Sequence, residues 1–420
     1  MKVLVVGGGG REHAVVEKLA QNKNIDKLYA APGNGGIAQL AECISIKATD
    51  VEGVCEFAKN EKIDFVVVTP DDPLCLGMVD KLEELGIKAF GPRKNAAIIE
   101  GSKVFSKELM KKYNIPTAPF ETFDDAEKAC EYIDRHGAPI VIKADGLALG
   151  KGVTVAKTTE EAKAAVNDIM NDKIFGASGN RIVIEDCLSG PEISVLAFTD
   201  GKTIKPMVSS QDHKRAYDND EGPNTGGMGT FAPSPIYTKE LADECMDKIF
   251  LPTVKAMNTE NRKFKGVLYF GLMLTEKGVM VIEYNARFGD PETQVVLPLL
   301  KTDLFDIMTA VADEKLDEIN IEWENKSAVC VVMASGGYPK KYETGYEICG
   351  LENICGTVYH AGTKLDGEKT VSSGGRVLGV VSVKDSMEKA IEGAYSDVEK
   401  ISFKDAFFRH DIGKKAIDIL

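Results

Sequence analysis

Glu283 and Asn285 stand two residues apart in the stretch Val279-Met280-Val281-Ile282-Glu283-Tyr284-Asn285-Ala286-Arg287-Phe288-Gly289-Asp290-Pro291-Glu292. Side chains two apart on an extended backbone share a face, so this pair offers three oxygens to one hard cation, a set suited to Mg²⁺ or Mn²⁺. Arg287 continues that face if the strand persists. A carboxylate, an amide and a guanidinium on one side are costly to bury unpaired, so a solvated strand end with internal salt bridges is the other reading of these residues.

Other residues are placed for anions. The apolar run Lys2 to Val6 breaks into Gly7-Gly8-Gly9-Gly10-Arg11-Glu12-His13 and then into a helical pattern through Leu19. Glycines at such a turn let backbone N–H groups approach an anion at a helix N-terminus. A dinucleotide fingerprint fails here, because its last glycine falls on Glu12 or His13, and Ala31-Pro32-Gly33-Asn34 stands where a ribose-binding acid is expected. The reading is a phosphate or phosphosugar site, not NAD.

Farther on, the strand pattern Pro139 to Lys143 leads into Asp145-Gly146-Leu147-Ala148-Leu149-Gly150-Lys151-Gly152. A Walker A loop would need Gly at 145 and Ser or Thr at 152, followed by a helix, whereas Val153 to Ala156 is strand-like. Lys143 and Lys151 around a glycine-rich hairpin suggest a flap over polyphosphate, the plain alternative being a hairpin with two solvated lysines. In Arg181 to Glu192, backbone groups near Cys187 and Leu188 could receive a base and Glu192 ribose hydroxyls. Ser209 to Arg215 and Gly222 to Gly229 form a long polar segment without core periodicity, and its Asp212, His213, Lys214 and Arg215 favour a substrate loop.

The elements that must position these groups alternate between strand-like and helix-like runs, which points to α/β architecture. A chain of 420 residues has room for about two to four domains. Residues 1 to about 100 read as a small doubly wound sheet whose loops at Gly7–Gly10, Pro32–Gly36 and Pro70–Pro73 converge at the strand carboxyl ends. Glu322-Trp323-Glu324-Asn325-Lys326 reads as a boundary before a third, α+β unit, in which only Ser335 to Pro339 and Ser372 to Arg376 cluster chemistry. The formal charge of −14 argues against a general nucleic-acid or anionic-membrane binder. No apolar run approaches the ~20 residues that span a bilayer, and a cytoplasmic location is expected. Nine scattered cysteines without a C-x-x-C pair fit reduced thiols, and five isolated histidines argue against a histidine-rich metal site.

Taken in order, GGREHA at 8–13, APGNGG at 31–36, EGSK at 100–103, IPTA at 115–118, VIKADGLALGKGV at 141–153, SQDHKR at 210–215, GPNTGGMG at 222–229, NARFGDPETQ at 285–294, and HAGTK and GGRV in the tail closely resemble the phosphoribosylamine–glycine ligase family of the ATP-grasp superfamily. The resemblance implies a multidomain α/β and α+β fold: a pre-ATP-grasp doubly wound domain over 1–101, an ATP-grasp domain over 102–325 with a lid at about 122–190, and a rudimentary hybrid domain over 326–420. It implies the second step of de novo purine biosynthesis, in which ATP phosphorylates glycine and the amine of 5-phosphoribosylamine attacks the glycyl phosphate. Lys103, Lys143, Lys151, Gly146, Gly150 and Gly152 would then hold ATP phosphates, Glu185, Cys187 and Leu188 adenine, Glu192 the ribose, and Glu283 and Asn285 Mg²⁺ or Mn²⁺. Arg287, Asp212, His213, Lys214 and Arg215, with Asp290, Pro291 and Glu292, would serve glycine and the acyl phosphate, with Arg287, Lys151 and Asp212 as catalytic groups. Gly8, Gly9, Gly10, Arg11, Asn34 and Asp71 would receive phosphoribosylamine. No nucleic acid or membrane partner is expected, and the chain would act as a monomer or weak homodimer. Two positions depart from the pattern: Gly271 stands where many ATP-grasp relatives carry an acidic metal ligand, and Asp71 replaces the usual Glu.

Overall fold

The computed structural model describes residues 1–148 and 152–418. Lys2–Gly7 is the middle strand of a five-stranded parallel sheet, flanked by Lys27–Pro32 and Glu42–Cys43 on one side and by Phe65–Val68 and Lys88–Phe90 on the other. Val3 to Val6 are fully buried because helices cover both faces, which is why these strands read as unbroken apolar runs. The strand carboxyl ends meet as expected: Gly33 N–H donates to the Gly7 carbonyl oxygen at 3.1 Å. Gly8 has to be glycine, since a Cβ there would lie 2.3 Å from the Gly33 oxygen.

Two antiparallel four-stranded sheets follow. One has the order Phe120–Phe123, Ile182–Asp186, Ile140–Ala144, Val153–Ala156 and packs under the helices Ala126–His136 and Thr159–Val166. The other has the order Ile204–Pro206, Glu192–Thr199, Gly266–Thr275, Gly278–Asn285, with the helices Lys239–Cys245 and Leu251–Thr259 behind it. The helix Lys103–Lys112, capped by Ser102 accepting from Phe105 N–H, packs near both. The two sheets face each other across a cavity.

The last sheet crosses the boundary that the sequence suggests near 325. Its order is Gln211–Asp212, Gly229–Ala232, Ser327–Ala334, Arg376–Lys384, Thr357–His360, so two strands come from the polar segment and three from the tail. The segment 209–229 is therefore more ordered than an irregular loop: it also contains the hairpin Arg215–Tyr217 with Glu221–Asn224. Strands of two to four residues are too short to show alternation, which is why the pattern is absent from the sequence. No described helix is long and apolar enough to cross a membrane.

The N-terminal sheet docks on the tail through buried imidazoles. His360 N–H donates to His13 Nδ1 at 2.8 Å, and Asn34 Nδ2 donates to the His360 carbonyl oxygen at 2.7 Å. Burial, with His360 nearby, lowers His13 to a pKa of about 3, and burial lowers His360 to about 4. The unfolded chain therefore binds protons first: this stability is complete above about pH 6.5 and declines as pH falls towards 4, by up to about 1.4 kcal/mol per pH unit for each histidine. Urea midpoints should fall between about pH 7.5 and about pH 5, and His360→Gln should flatten that slope.

Candidate functional site

The cavity between the two four-stranded sheets has a volume of about 840 Å³ and extends to the carboxyl edge of the N-terminal sheet and to Arg376 of the tail. At one end Val141, Val155, Leu188, Met273 and Val281 form an apolar slot suited to a flat base. Beside it, the Glu185 carboxylate bridges the ammoniums of Lys107 and Lys143. Lys107 Nζ also donates to Thr117 Oγ1 at 2.7 Å, and Lys143 Nζ to the Ile282 carbonyl oxygen at 3.1 Å. Burial brings Lys107 down to a pKa of about 8. Burial pushes Glu185 up, and the two ammoniums more than offset it, so its carboxyl stays below the ordinary value.

This geometry gives Glu185 a different immediate task from the adenine contact that the resemblance implies. Both of its oxygens face lysines, and charge pairing is what permits its burial. Cys187, Leu188 and Glu192 line the cavity, as does Gly152, while Gly146 sits in a smaller neighbouring cleft where its carbonyl oxygen accepts from Lys103 Nζ at 3.0 Å. Gly150 and Lys151 lie outside the described residues.

Glu283 and Asn285 both face the cavity, as alternation on a strand requires. Burial raises Glu283, but Lys214, Lys143, Lys103 and Arg287 around it bring its carboxyl below the ordinary value. Oriented so that its nitrogen donates to Glu100 Oε1 (3.0 Å) and the Tyr284 carbonyl oxygen (3.2 Å), Asn285 turns its own oxygen away from these acceptors. A carboxylate and an amide oxygen on one wall, among lysines placed for phosphate, fit a hard cation shared with a polyphosphate. Gly271 pairs with Glu283 across the ladder, and a Cβ there would lie 2.9 Å from Glu283 Cγ, so a second acid in this register would displace the first. Among the described residues no group of three or more His, Cys, Asp or Glu is arranged to hold a metal.

The other end of the cavity is crowded with paired charges. Arg287 Nη2 stands 2.9 Å from Glu100 Oε1, whose carboxyl burial raises to a pKa of about 6 even beside that guanidinium, and Arg287 Nε is buried without an acceptor among the described residues. Lys214 Nζ lies 2.8 Å from Glu192 Oε2 and 3.8 Å from Glu283 Oε1. Burial and then Glu292 push the Asp212 carboxyl well above its ordinary value. Arg215, Asp290 and Glu292 line the cavity with these groups. His213 does not: it is 1% exposed, with Nδ1 3.2 Å from the Gly229 carbonyl oxygen and its ring edge against Phe231. Pro291 packs beneath Gly227.

Of the residues expected to receive phosphoribosylamine, Arg11 and Asp71 reach the cavity, and Gly8, Gly9, Gly10 and Asn34 are not among its lining residues. The N-terminus of helix Gly10–Leu19 already holds an anion of its own, because Glu12 Oε2 accepts from Gly9 N–H at 2.7 Å. Asn34 is a staple: its nitrogen donates to the Gly8 and His360 carbonyl oxygens and its oxygen accepts from Gly36 and Ile37 N–H. Glu100 and Arg376 fall in the EGSK and GGRV segments but carry no role legible in the sequence, and Lys107 falls in none of the motifs. Lys107 sits four residues after Lys103, hence on the same helix face, and that spacing was the available signal.

Two antiparallel sheets closing on a cavity, with lysines on one wall and an acid–amide pair on the other, make this an ATP-grasp enzyme. The family models for phosphoribosylglycinamide synthetase match along its length: the N domain over residues 1–100, the ATP-grasp (A) domain over 101–293 and the C domain over 328–415. The chain belongs to the phosphoribosylglycinamide synthetase family. A phosphoribosylamine–glycine ligase of Caldanaerobacter subterraneus is 51% identical over 413 residues, 98% of this chain and 99% of the relative. One of Escherichia coli is 48% identical over 425 residues, 100% of this chain and 99% of the relative. The crystal structure of the phosphoribosylamine–glycine ligase of Thermotoga maritima matches with a TM-score of 0.85 at 33% identity, covering 98% of this chain and 100% of that one. The biotin carboxylase domain of Hydrogenobacter thermophilus 2-oxoglutarate carboxylase, crystallised with MgADP, shares the fold at a TM-score of 0.73 and 18% identity, covering 97% of this chain and 91% of that one.

Removing the central carboxylate would leave two buried ammoniums facing each other. Glu185→Ala is expected to lower unfolding free energy by about 3–5 kcal/mol, read from urea denaturation, and to weaken ATP binding in calorimetric titration.

Proposed function

We infer that the chain joins glycine to 5-phosphoribosylamine at the expense of ATP, forming glycinamide ribonucleotide, ADP and phosphate. The observation that carries this reading is the single cavity with an apolar slot and lysines at one end and an arginine–carboxylate cluster at the other, in a chain whose full-length relatives bear that activity in their names. A glycine carboxylate oxygen attacks the γ-phosphorus of ATP and ADP leaves. The amine nitrogen of phosphoribosylamine then attacks the acyl carbon, phosphate leaves, and the nitrogen loses a proton. Both steps need alignment and charge neutralisation more than a covalent enzyme intermediate.

In this reading Lys103 and Lys143, together with Lys151, draw the phosphates into line, and Glu185 holds Lys143 at its place on the wall. Leu188 and Cys187 flank the base and Glu192 the ribose. Glu283 and Asn285 would hold Mg²⁺ or Mn²⁺, which neutralises phosphate charge when bound. Arg287 meets the glycine carboxylate or the acyl phosphate. Asp212 has raised proton affinity and takes the proton that the amine loses. Arg11 and Asp71 face the phosphoribosylamine end. The functional units are 1–101, 102–325 with the lid at about 122–190, and 326–420, in a cytoplasmic monomer or weak homodimer.

ADP release that requires glycine together with an acceptor amine, phosphoribosylamine being the preferred one, supports the assignment; equal turnover with formate and glycinamide ribonucleotide would sink it. Glu283→Ala should fold normally by circular dichroism and lose about a thousandfold in kcat. Near-normal turnover of that variant at saturating Mg²⁺ would remove Glu283 from the metal site.

A further inference from the structure

The tail reaches the cavity with Arg376 and Lys415, and only Arg376 ties two of its wall segments together among the described residues. Arg376 opens the strand Arg376–Lys384, where the ladder with Ser327–Ala334 shifts register between Met333 and Ala334, and such irregularities re-aim side chains. Its Nη1 donates to the carbonyl oxygens of Gly226 at 2.6 Å, Gly227 at 3.3 Å and Asp290 at 2.9 Å, and its Nη2 stands 3.2 Å from Asp290 Oδ2. One planar fork thus joins the Gly226–Gly227 turn to the Asp290 turn.

The turn is fitted to that position. A Cβ on Gly226 would fall 3.0 Å from Arg376 Cζ, and one on Gly227 (φ +109°) would fall 2.5 Å from Pro291 Cδ and 2.6 Å from Asp212 Oδ1. Tyr338, from the same tail, supplies a second anchor: its hydroxyl oxygen accepts from Gly226 N–H at 3.2 Å. The two segments being joined carry Asp212 on one side and Asp290 and Glu292 on the other. The Lys107–Glu185–Lys143 group takes its other partners from Thr117 and Ile282 instead.

We propose that Arg376 is a positioning residue for the amine-transfer half of the reaction: by tying Gly226–Gly227 to Asp290, it sets Asp212 against Asp290 and Glu292 where phosphoribosylamine meets the glycyl group. The inference rests on the ligase reading above. It gives the tail a defined task, since the cavity is incomplete without this guanidinium. A lysine cannot take its place, because a point charge does not reproduce a fork shared among several acceptors.

The test compares the full-length chain with R376A, R376K and Y338F, using ATP, Mg²⁺ and glycine with either phosphoribosylamine or hydroxylamine. Hydroxylamine nitrogen displaces phosphate from glycyl phosphate to give glycine hydroxamate, its proton passing to excess hydroxylamine, so it needs neither a seat for a sugar nor an aligned Asp212. R376A should lose about 100-fold in kcat/KM for phosphoribosylamine, the scale of a small misplacement of reacting groups. Its KM for ATP should stay within about threefold of the parent, with hydroxamate formation retained. R376K should stay impaired, and added guanidinium ion should restore part of the R376A loss. Y338F should show the same selectivity with a smaller loss, and this second anchor keeps the test decisive should R376A fail to fold. Equal losses in the hydroxylamine and phosphoribosylamine reactions, or unchanged kcat/KM for phosphoribosylamine in R376A and Y338F, would overturn the proposal. A parent chain that forms neither hydroxamate nor glycinamide ribonucleotide would remove the ligase reading itself.

Discussion

The carboxylate of Glu185 lies between two ammoniums, all three nearly buried in the cavity wall, and each of the three groups belongs to a different element: Lys107 to the helix Lys103–Lys112, Lys143 and Glu185 to neighbouring antiparallel strands. An ion held that deeply is tolerable only when its partners are fixed. The lysines are fixed in turn by Thr117 and by the backbone of Ile282, next to Glu283. The triad therefore sets the distance between the strand Ile140–Ala144, which carries Lys143, and the strand Gly278–Asn285, which carries Glu283 and Asn285.

The rest of the cavity obeys the same constraint. Arg287 is matched by Glu100, Lys214 by Glu192 and Glu283, Arg376 by Asp290, and Arg11 by Glu12. The pairs made by Arg287, Arg376 and Arg11 join charges that would be costly to bury singly, while Lys214 and Glu192 stay partly open to the cavity. The exceptions are informative: Asp212 faces Glu292, and Arg287 Nε has no acceptor among the described residues. Unbalanced groups of this kind are where a polar ligand gains most by binding, and they lie at the end of the cavity away from the apolar slot.

Legibility in the sequence followed the range of the physics involved. Glu283 and Asn285 share a face because strand periodicity is local, and the pair was readable from two letters and their spacing. Burial of the first parallel sheet was equally plain in Lys2 to Val6. The glycine loop was half legible: its turn and close backbone approach were visible, but the seat at the helix N-terminus holds Glu12, a residue three positions on whose side chain turns back. His213 looked like a substrate group among Asp, Lys and Arg, yet its neighbours in space are Phe231 and the Gly229 backbone. Lys107 looked like one more lysine on an amphipathic helix, since nothing near it in sequence announces Glu185.

What the sequence determined by itself was therefore the inventory and its local order: an acid–amide pair on a strand, glycine turns, lysines around a flap, and the run of motifs that marks the family. The tertiary structure decided which charges neutralise one another. Glu185 with Lys107 and Lys143, Glu100 with Arg287, and Asp290 with Arg376 are long-range pairings, set by how sheets and helices pack rather than by spacing along the chain. Electrostatic partnership acts through space over a few ångströms and carries no sequence period, so only the folded chain could show that the tail closes the site through Arg376.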